Sequence, residues 1–485
     1  MEPKPSSVRN LLVRILFFGV VVLFLRSVYV VNFRCDAFNG TCLLFSVTTN
    51  RAATGAPPPV PKSRAIWKTP QWRRTVEFYS SVFHHLISDG FLAPSSEALC
   101  VDTATGPEVY ALREMGVPAA VGMHKKASLP LVVAGEAGHH LPFGENSFDF
   151  IFTAGGADRA ASPGEFADAV CRMLRPEGHL VVHTRSADDL YSLNSFLDLF
   201  NCCRLIRSRD IAGGSDSMPA AKIREIVMKK DDNAQILNSD LGNKCAVPAH
   251  RRELVWNAEP FITEEPRKPW ITLKRNIKNI KYLPSMADIS FKRRYVYVDV
   301  GARSYGSSIG SWFRKQYPKQ NRTFDIYAIE ADRAFHDDYR SRKRVELLPY
   351  AAWVRNETLT FEIDSATKGG GMGRIRPSSS SSSKDVDIRR IQGFDFAGWL
   401  MSAVSKKDFV VMKMDVEGTE FDLIPRLLET GAICLIDELF LECHYNRWQR
   451  CCPGQRSPKY EKTYSQCLEL FSSLRESGVL VHQWW

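Results

Sequence analysis

The sequence predicts an α/β protein: two parallel sheets, each with helices on both faces, set behind one apolar N-terminal span. Three observations carry this. Short apolar strands alternate with amphipathic helices over residues 72–230 and again over 295–485. Alternation at these lengths is the pattern of parallel sheets with crossover helices. Residues 11–31 form a nearly unbroken apolar run, and residues 231–294, between the two αβ stretches, are rich in proline and charge.

The apolar run comes first in the chain. As a helix its 21 residues reach ~31 Å at about 1.5 Å per residue, one hydrocarbon thickness. Arg14 and Arg26 lie near its ends, where they can snorkel. Its apolar centre, 15–25, also suits a signal-peptide core, but Asn32, Phe33 and Arg34 follow where cleavage requires small residues. Lys4, Arg9 and Arg14 precede the span, although Arg26 and Arg34 follow its centre. This modest bias favours a cytosolic tail at 1–10, a signal anchor at 11–31 and a luminal remainder. Residues 32–71 then form a luminal stem, Ala/Pro-rich at 52–61.

Twelve cysteines agree with an oxidising lumen. Cys35 with Cys42, and the cluster Cys443, Cys451, Cys452 and Cys467, suggest disulfides of undetermined pairing. Cys100, Cys171 and Cys434 sit inside apolar patterns and read as buried thiols, and no spacing makes a zinc site. Glycosylation triplets occur at Asn39, Asn321 and Asn356.

In the first αβ region the pattern predicts a helix over 77–89, a strand at 98–101, a helix after Gly106 and a strand at 119–122. A strand at 148–153, a helix at 164–174, a strand at 178–183 and a helix at 188–200 follow, then strands at 204–208 and 223–228. The connector 231–294 reads as excluded from any regular core. Within it Leu273, Ile277 and Ile280 fall at i, i+4, i+7 among Lys and Arg. That is a short basic helix, read as solvated and packed on a domain edge, with membrane or polyanion docking as the rival reading. The second region predicts strands at 295–300, 325–329, 346–350, 359–363, 409–414, 435–442 and 479–484. Its helices are expected at 308–317, 396–405, 420–430 and 462–476, and the Gly- then Ser-rich stretch 368–384 reads as a mobile loop.

Composition bounds the function. Of 485 residues, 44% are hydrophobic and 24% charged, which excludes a mostly disordered chain. The net charge of +10 invites an acidic partner, but its distribution is uneven. Residues 266–294 hold nine basic residues (Arg267, Lys268, Lys274, Arg275, Lys278, Lys281, Lys292, Arg293, Arg294) against Asp288. Residues 1–34 net +4, which leaves −2 for the rest and excludes a general nucleic-acid surface.

Three strand ends in the second region carry chemistry. YVYVDVGARSYG places Asp299 and Gly301 at a strand-to-helix turn, where glycine lets backbone approach a ligand. IYAIEADR ends the next strand at Glu330, an acid that can accept both hydroxyls of a ribose. FVVMKMDVEGTEFDLI crowds Lys413, Asp415, Glu417 and Glu420 at one strand end, where like charges should raise some pKa values. A helix N-terminus stabilised by its dipole explains Glu417 and Glu420 as well, and Asp415 less well. LFLECHYNRW ends a further strand with Glu442 and His444, and His444 could serve as a general base near neutral pH.

KMDVEGTEFDLIPRL, with DVGARSYG upstream and LECHY downstream, resembles FkbM-type S-adenosylmethionine-dependent methyltransferases over about 295–445. The resemblance implies a Rossmann-like class I fold and O-methylation, often of sugar hydroxyls. It places S-adenosylmethionine on Asp299, Gly301 and Glu330, with Asp415 and Glu417 bordering the reaction centre. Arg303 stands where that family's turn has asparagine, and Gly306 falls one residue late. The first region is similar to small-molecule class I methyltransferases through HHLPFGENSFDFIFTAGG and CRMLRPEGHLVVHT. Its glycine turn departs from the family: Ala104 and Glu108 replace glycines, with Glu108 expected to crowd the cofactor, and Met123 and His124 replace the strand-two acid. This domain therefore reads as one that has lost cofactor binding. The whole arrangement resembles plant membrane-anchored proteins of the methyltransferase superfamily, which implies a Golgi location.

The reading is thus a luminal O-methyltransferase on a sugar or glycan hydroxyl, with Asp415 or His444 as base, Glu417 beside the cofactor and no metal supported by spacing. A non-catalytic pair of methyltransferase folds scaffolding a Golgi enzyme complex is the alternative. A glycosyltransferase would want an Asp-x-Asp at a strand end, and Asp385-Val386-Asp387 lies beside the serine stretch, expected outside the sheet.

Overall fold

The computed structural model describes residues 69–137, 141–212, 222–231, 247–364, 373–375, 386–449 and 451–484. The anchor, the stem, Cys35, Cys42 and Asn39 lie outside the described residues. Among the described residues no helix is long and apolar enough to cross a membrane. Both sheets belong to one compact unit, Val60–Trp485.

The first sheet contains β1 (Ala98–Val101), β2 (Val121–His124), β3 (Val132–Ala134), β4 (Phe148–Ala154), β5 (Leu174–Thr184), β6 (Cys203–Ala212) and β7 (Lys222–Lys230). Their order is 3-2-1-4-5-7-6; β1 to β5 are parallel, and β7 runs antiparallel to both β5 and β6. Strand alternation sends Leu99, Ile151, Leu180 and Val182 to one face and Cys100, Phe150, Phe152 and Val181 to the other. The second face packs on Phe83 and Leu86 of the helix Pro70–Ser88. That helix begins seven residues before the expected 77, because Thr69 caps Trp72 N–H and Pro70 is preset for the first turn.

The second sheet contains β8 (Tyr295–Val300), β9 (Asp325–Ile329) and β10 (Val345–Leu348). The chain then makes a small four-stranded sheet from β11 (Ala351–Trp353), β12 (Glu357–Asp364), β13 (Gly373–Ile375) and β14 (Val386–Asp395). It returns as β15 (Phe409–Met414), β16 (Glu438–Leu441) and β17 (Leu480–Gln483). The large sheet is wholly parallel in the order 10-9-8-15-16-17, a doubly wound arrangement whose switch point lies between β8 and β15. Val296, Val298 and Val300 face one core, Tyr295 and Tyr297 the other.

Several expectations are corrected. β13 lies inside the stretch read as a loop, and Val386 and Asp387 lie in β14, within a sheet. The helix expected at 308–317 is a π-turn over Ile309–Phe313, where Phe313 and Arg314 N–H donate five residues back. The connector is not excluded from the core. Ile280, Leu283 and Ile289 enter the second sheet's core, and Phe291 enters the first sheet's. In return Tyr191, on the helix Leu190–Leu199 of the first region, is buried in the second sheet's core. Acids from both αβ regions take up the connector's charge: Lys292 faces Asp437 at 3.6 Å, Arg293 pairs with Asp168 and Arg294 with Asp408. The basic segment forms a helix at Pro269–Asn276, with Lys274 and Arg275 exposed and Ile280 buried beyond it. Disulfides join Cys171 to Cys202 and Cys443 to Cys467, and Cys434 is disulfide-bonded too. Of the three cysteines read as buried thiols, Cys100 alone is one.

Candidate active site

The site lies at the carboxyl ends of β8, β9, β15 and β16. After β8 the chain turns at Gly301, φ +78°. Gly301 and Ala302 N–H both donate to the Ile329 carbonyl, tying the turn to β9. A Cβ on Gly301 would stand 1.9 Å from the Asp415 carbonyl oxygen, so two backbones meet where only glycine fits. Gly306, by contrast, has nothing within 4 Å of an added Cβ.

Asp299 lies at the carboxyl end of β8. It is fully buried, accepts the Ser308 hydroxyl and lies 3.7 Å from Lys413 Nζ. Burial raises its carboxyl against the pull of Lys413. It is not among the cleft-lining residues, and its contacts tie the turn to Ser308 and Lys413. Glu330 does line the cleft, beside Gly301, Ile329, Phe335 and Ala351. Its carboxylate accepts Arg303 and Asp332 N–H at 2.6 Å each. Burial still pushes it up to about 7.

Asp415 and Glu417 line the same cleft, and His444 stands behind them. His444 Nε2 lies 3.6 Å from Asp415, 3.9 Å from Glu417 and 3.9 Å from Glu442, while its Nδ1 is 3.3 Å from Glu420. Burial alone would hold the imidazole down, but Glu420, Asp415 and Glu417 outweigh it and push it up to about 10. The raised imidazole favours the charged form, which faces these carboxylates as an ion pair, and in that form His444 does not accept a proton. Burial and then the Asp415 carboxylate raise Glu442 to about 7, although its side chain keeps 30% exposure. Its basicity thus falls in the range a general base requires. Glu417 goes the other way: burial opposes, but His444, Lys459 and Tyr460 hold it down. Lys459 Nζ is 2.8 Å from its carboxylate, and Tyr460 donates to the same oxygen.

The ligand-type atoms of Asp415, Glu417 and His444 lie within 4.8 Å of one another, but a protonated His444 offers no lone pair to a cation. Sequence reasoning missed Lys459 and Tyr460, which come from an irregular loop without periodicity. It noted Glu442 without assigning it a role, since its basicity depends on Asp415, from another strand.

The first sheet has a corresponding cleft, lined by Asp102, His124, Gly135, Arg159 and Phe166. Glu108 does not crowd it. That side chain is buried, accepts the Thr103 hydroxyl and is raised by desolvation. Arg159 takes the acid instead, 2.7 Å from Asp102 and bonded to the Ala154 carbonyl at 2.9 Å.

Residues 107–182 match a family model described as a methyltransferase domain. Residues 256–362 and 376–485 match a domain of unknown function, DUF7870. No curated protein matches the chain. Among solved structures, an S-adenosylmethionine-dependent methyltransferase from Methanosarcina mazei is 14% identical over 30% of this chain and 97% of its own, with TM-score 0.26. One from Aquifex aeolicus is 14% identical over 34% of this chain and 95% of its own, with TM-score 0.27. The stretch that matches the methyltransferase domain, 107–182, lies within the first sheet's Rossmann-like αβ pattern. The cofactor of such methyltransferases is S-adenosylmethionine.

Proposed function

We propose that the chain is an O-methyltransferase whose reaction takes place at the second sheet, on a sugar or glycan hydroxyl. The observation that carries this is the pairing of the Gly301–Glu330 cleft with the Glu442–Asp415–His444 cluster at one sheet edge. The cleft suits S-adenosylmethionine. Glu330 is placed for a ribose, Ile329, Phe335 and Ala351 offer an apolar wall, and Asp415 and Glu417 supply negative charge for a sulfonium. The first cleft suits it less, because Arg159 occupies the acid and His124 stands at the strand-two end. S-adenosylmethionine supplies an electrophilic methyl group. Glu442 accepts the acceptor's proton, the His444 imidazolium holds the Asp415 and Glu417 carboxylates in place, and Lys413 and Asp299 hold the strand ends, so that positioning does most of the catalysis. The first sheet then serves the second as a scaffold, through Tyr191 and the connector.

The FkbM resemblance supports this reading, and the 11–31 run supports a single-pass type II anchor in the Golgi membrane with luminal domains. The disulfides Cys171–Cys202 and Cys443–Cys467, and the exposed Asn321 and Asn356, support an oxidising, glycosylating lumen. Isothermal titration of the purified full chain with S-adenosylmethionine tests the site. Glu330→Ala should weaken binding at least tenfold and Asp102→Ala should leave it unchanged. No binding by the wild type, or the reverse pattern, overturns the proposal.

A further inference from the structure

A further concavity, about 600 Å³, lies between the connector helix and residues 447–449 and 451–457. Arg267 and Trp270 form one wall, and Arg447, Trp448 and Ser457 form the other. The two indoles are large apolar groups left open to water, Trp270 at 49% and Trp448 at 43% exposure. Both are backed by cations: Lys274 Nζ lies 5.1 Å over Trp270, and Arg456 Cζ lies 3.9 Å over Trp448. The walls are also fastened together. Arg456 spans the groove as a bidentate pair with Glu265, at 3.1 and 2.9 Å, and bonds the Asn446 carbonyl at 2.8 Å. This site is built before any ligand arrives.

The charges that remain are of one sign. Arg267 and Arg447 line the groove and Lys268 and Lys274 flank it; none has a carboxylate within ion-pair distance among the described residues. Flat aromatic faces next to unpaired cations match a chain of sugar rings that carry carboxylates. The ring C–H faces lie on indole, and each carboxylate meets a guanidinium fork. The groove also adjoins the reaction site. Ser457, in its wall, accepts Lys459 N–H at 3.3 Å, and the Lys459 ammonium is 2.8 Å from Glu417.

We propose that this groove binds an acidic, uronate-bearing saccharide chain and leads it toward the Glu417 side of the cleft. The binding stands on the groove alone; its purpose, acceptor delivery, rests on the methyltransferase reading above. The probe is a fluorescent oligouronate, titrated against the full chain with no S-adenosylmethionine present. A neutral oligosaccharide of equal length should bind at least tenfold more weakly, and added salt should weaken the oligouronate further. Trp448→Ala, and separately Arg267→Ala with Arg447→Ala, should each weaken binding at least tenfold with an unchanged thermal midpoint. Trp270→Ala serves if either variant fails to fold. Equal affinity for the neutral chain, or unchanged affinity in the folded variants, overturns the proposal. So does binding to anionic phospholipid vesicles with none to the oligouronate. Saccharide binding without S-adenosylmethionine binding would refute methyl transfer and leave the groove standing.

Discussion

Replacing His482 by glutamine should remove a pH-dependent fastening between the connector and the second sheet. His482 is fully buried on β17, with Nδ1 2.7 Å from Glu259 of the connector and Nε2 2.9 Å from Glu438 of β16. Burial alone would depress the imidazole, but the two carboxylates win and push it from 6.5 up to about 9. A raised folded-state pKa adds stability that is fully present below pH 6.5 and lost as pH rises through about 9. At about 1.4 kcal/mol per pKa unit, the difference comes to about 3 kcal/mol. Urea denaturation of the full chain at pH 6, 7.5 and 9 measures it. The stability gap between wild type and His482→Gln should close by about that amount across the window. His444 is present in both proteins and largely cancels. Parallel curves, with a gap independent of pH, would refute a charged His482.

Three further outcomes follow from the same geometry. Gly301→Ala should destabilise by about 3 kcal/mol, from the left-handed backbone and the Asp415 carbonyl at 1.9 Å, and should abolish cofactor binding; Gly306→Ala should be nearly silent by denaturation. In the wild type kcat/KM should rise with pH through about 7, because Glu442 accepts a proton only when ionised; Glu442→Gln should lose about 100-fold and flatten the profile. Cys443→Ser should cost about 3 kcal/mol by releasing a loop of 24 residues, read from the denaturation midpoint under non-reducing conditions.

The central strands of both sheets were legible because parallel strands are buried on both faces and read as plain apolar runs. Tyr295–Val300, Asp325–Ile329 and Phe409–Met414 have the bounds their sequence suggests. β3 and β14 were not legible, since β3 has three residues and β14 mixes charged residues with apolar ones beside a serine run. The connector misled for a related reason. Beyond the short Leu273, Ile277, Ile280 period its apolar residues sit among charges, and the acids that take up those charges are as distant as Asp168 and Asp437. In the site, the identity of the strand-end groups was legible and their direction was not. Nothing local says that Asp299 turns inward to Ser308, or that four carboxylates surround His444.

The exchange of Tyr191 and Phe291 between the two cores bears on how such a chain can be inherited. A break in the connector before Phe291 would leave a vacancy in the first sheet's core and uncover Tyr191. A gene fragment encoding either half would therefore yield a sticky, underpacked product. Recombination at this point should be selected against, and the two sheets should travel through evolution as a pair even where only one of them carries chemistry.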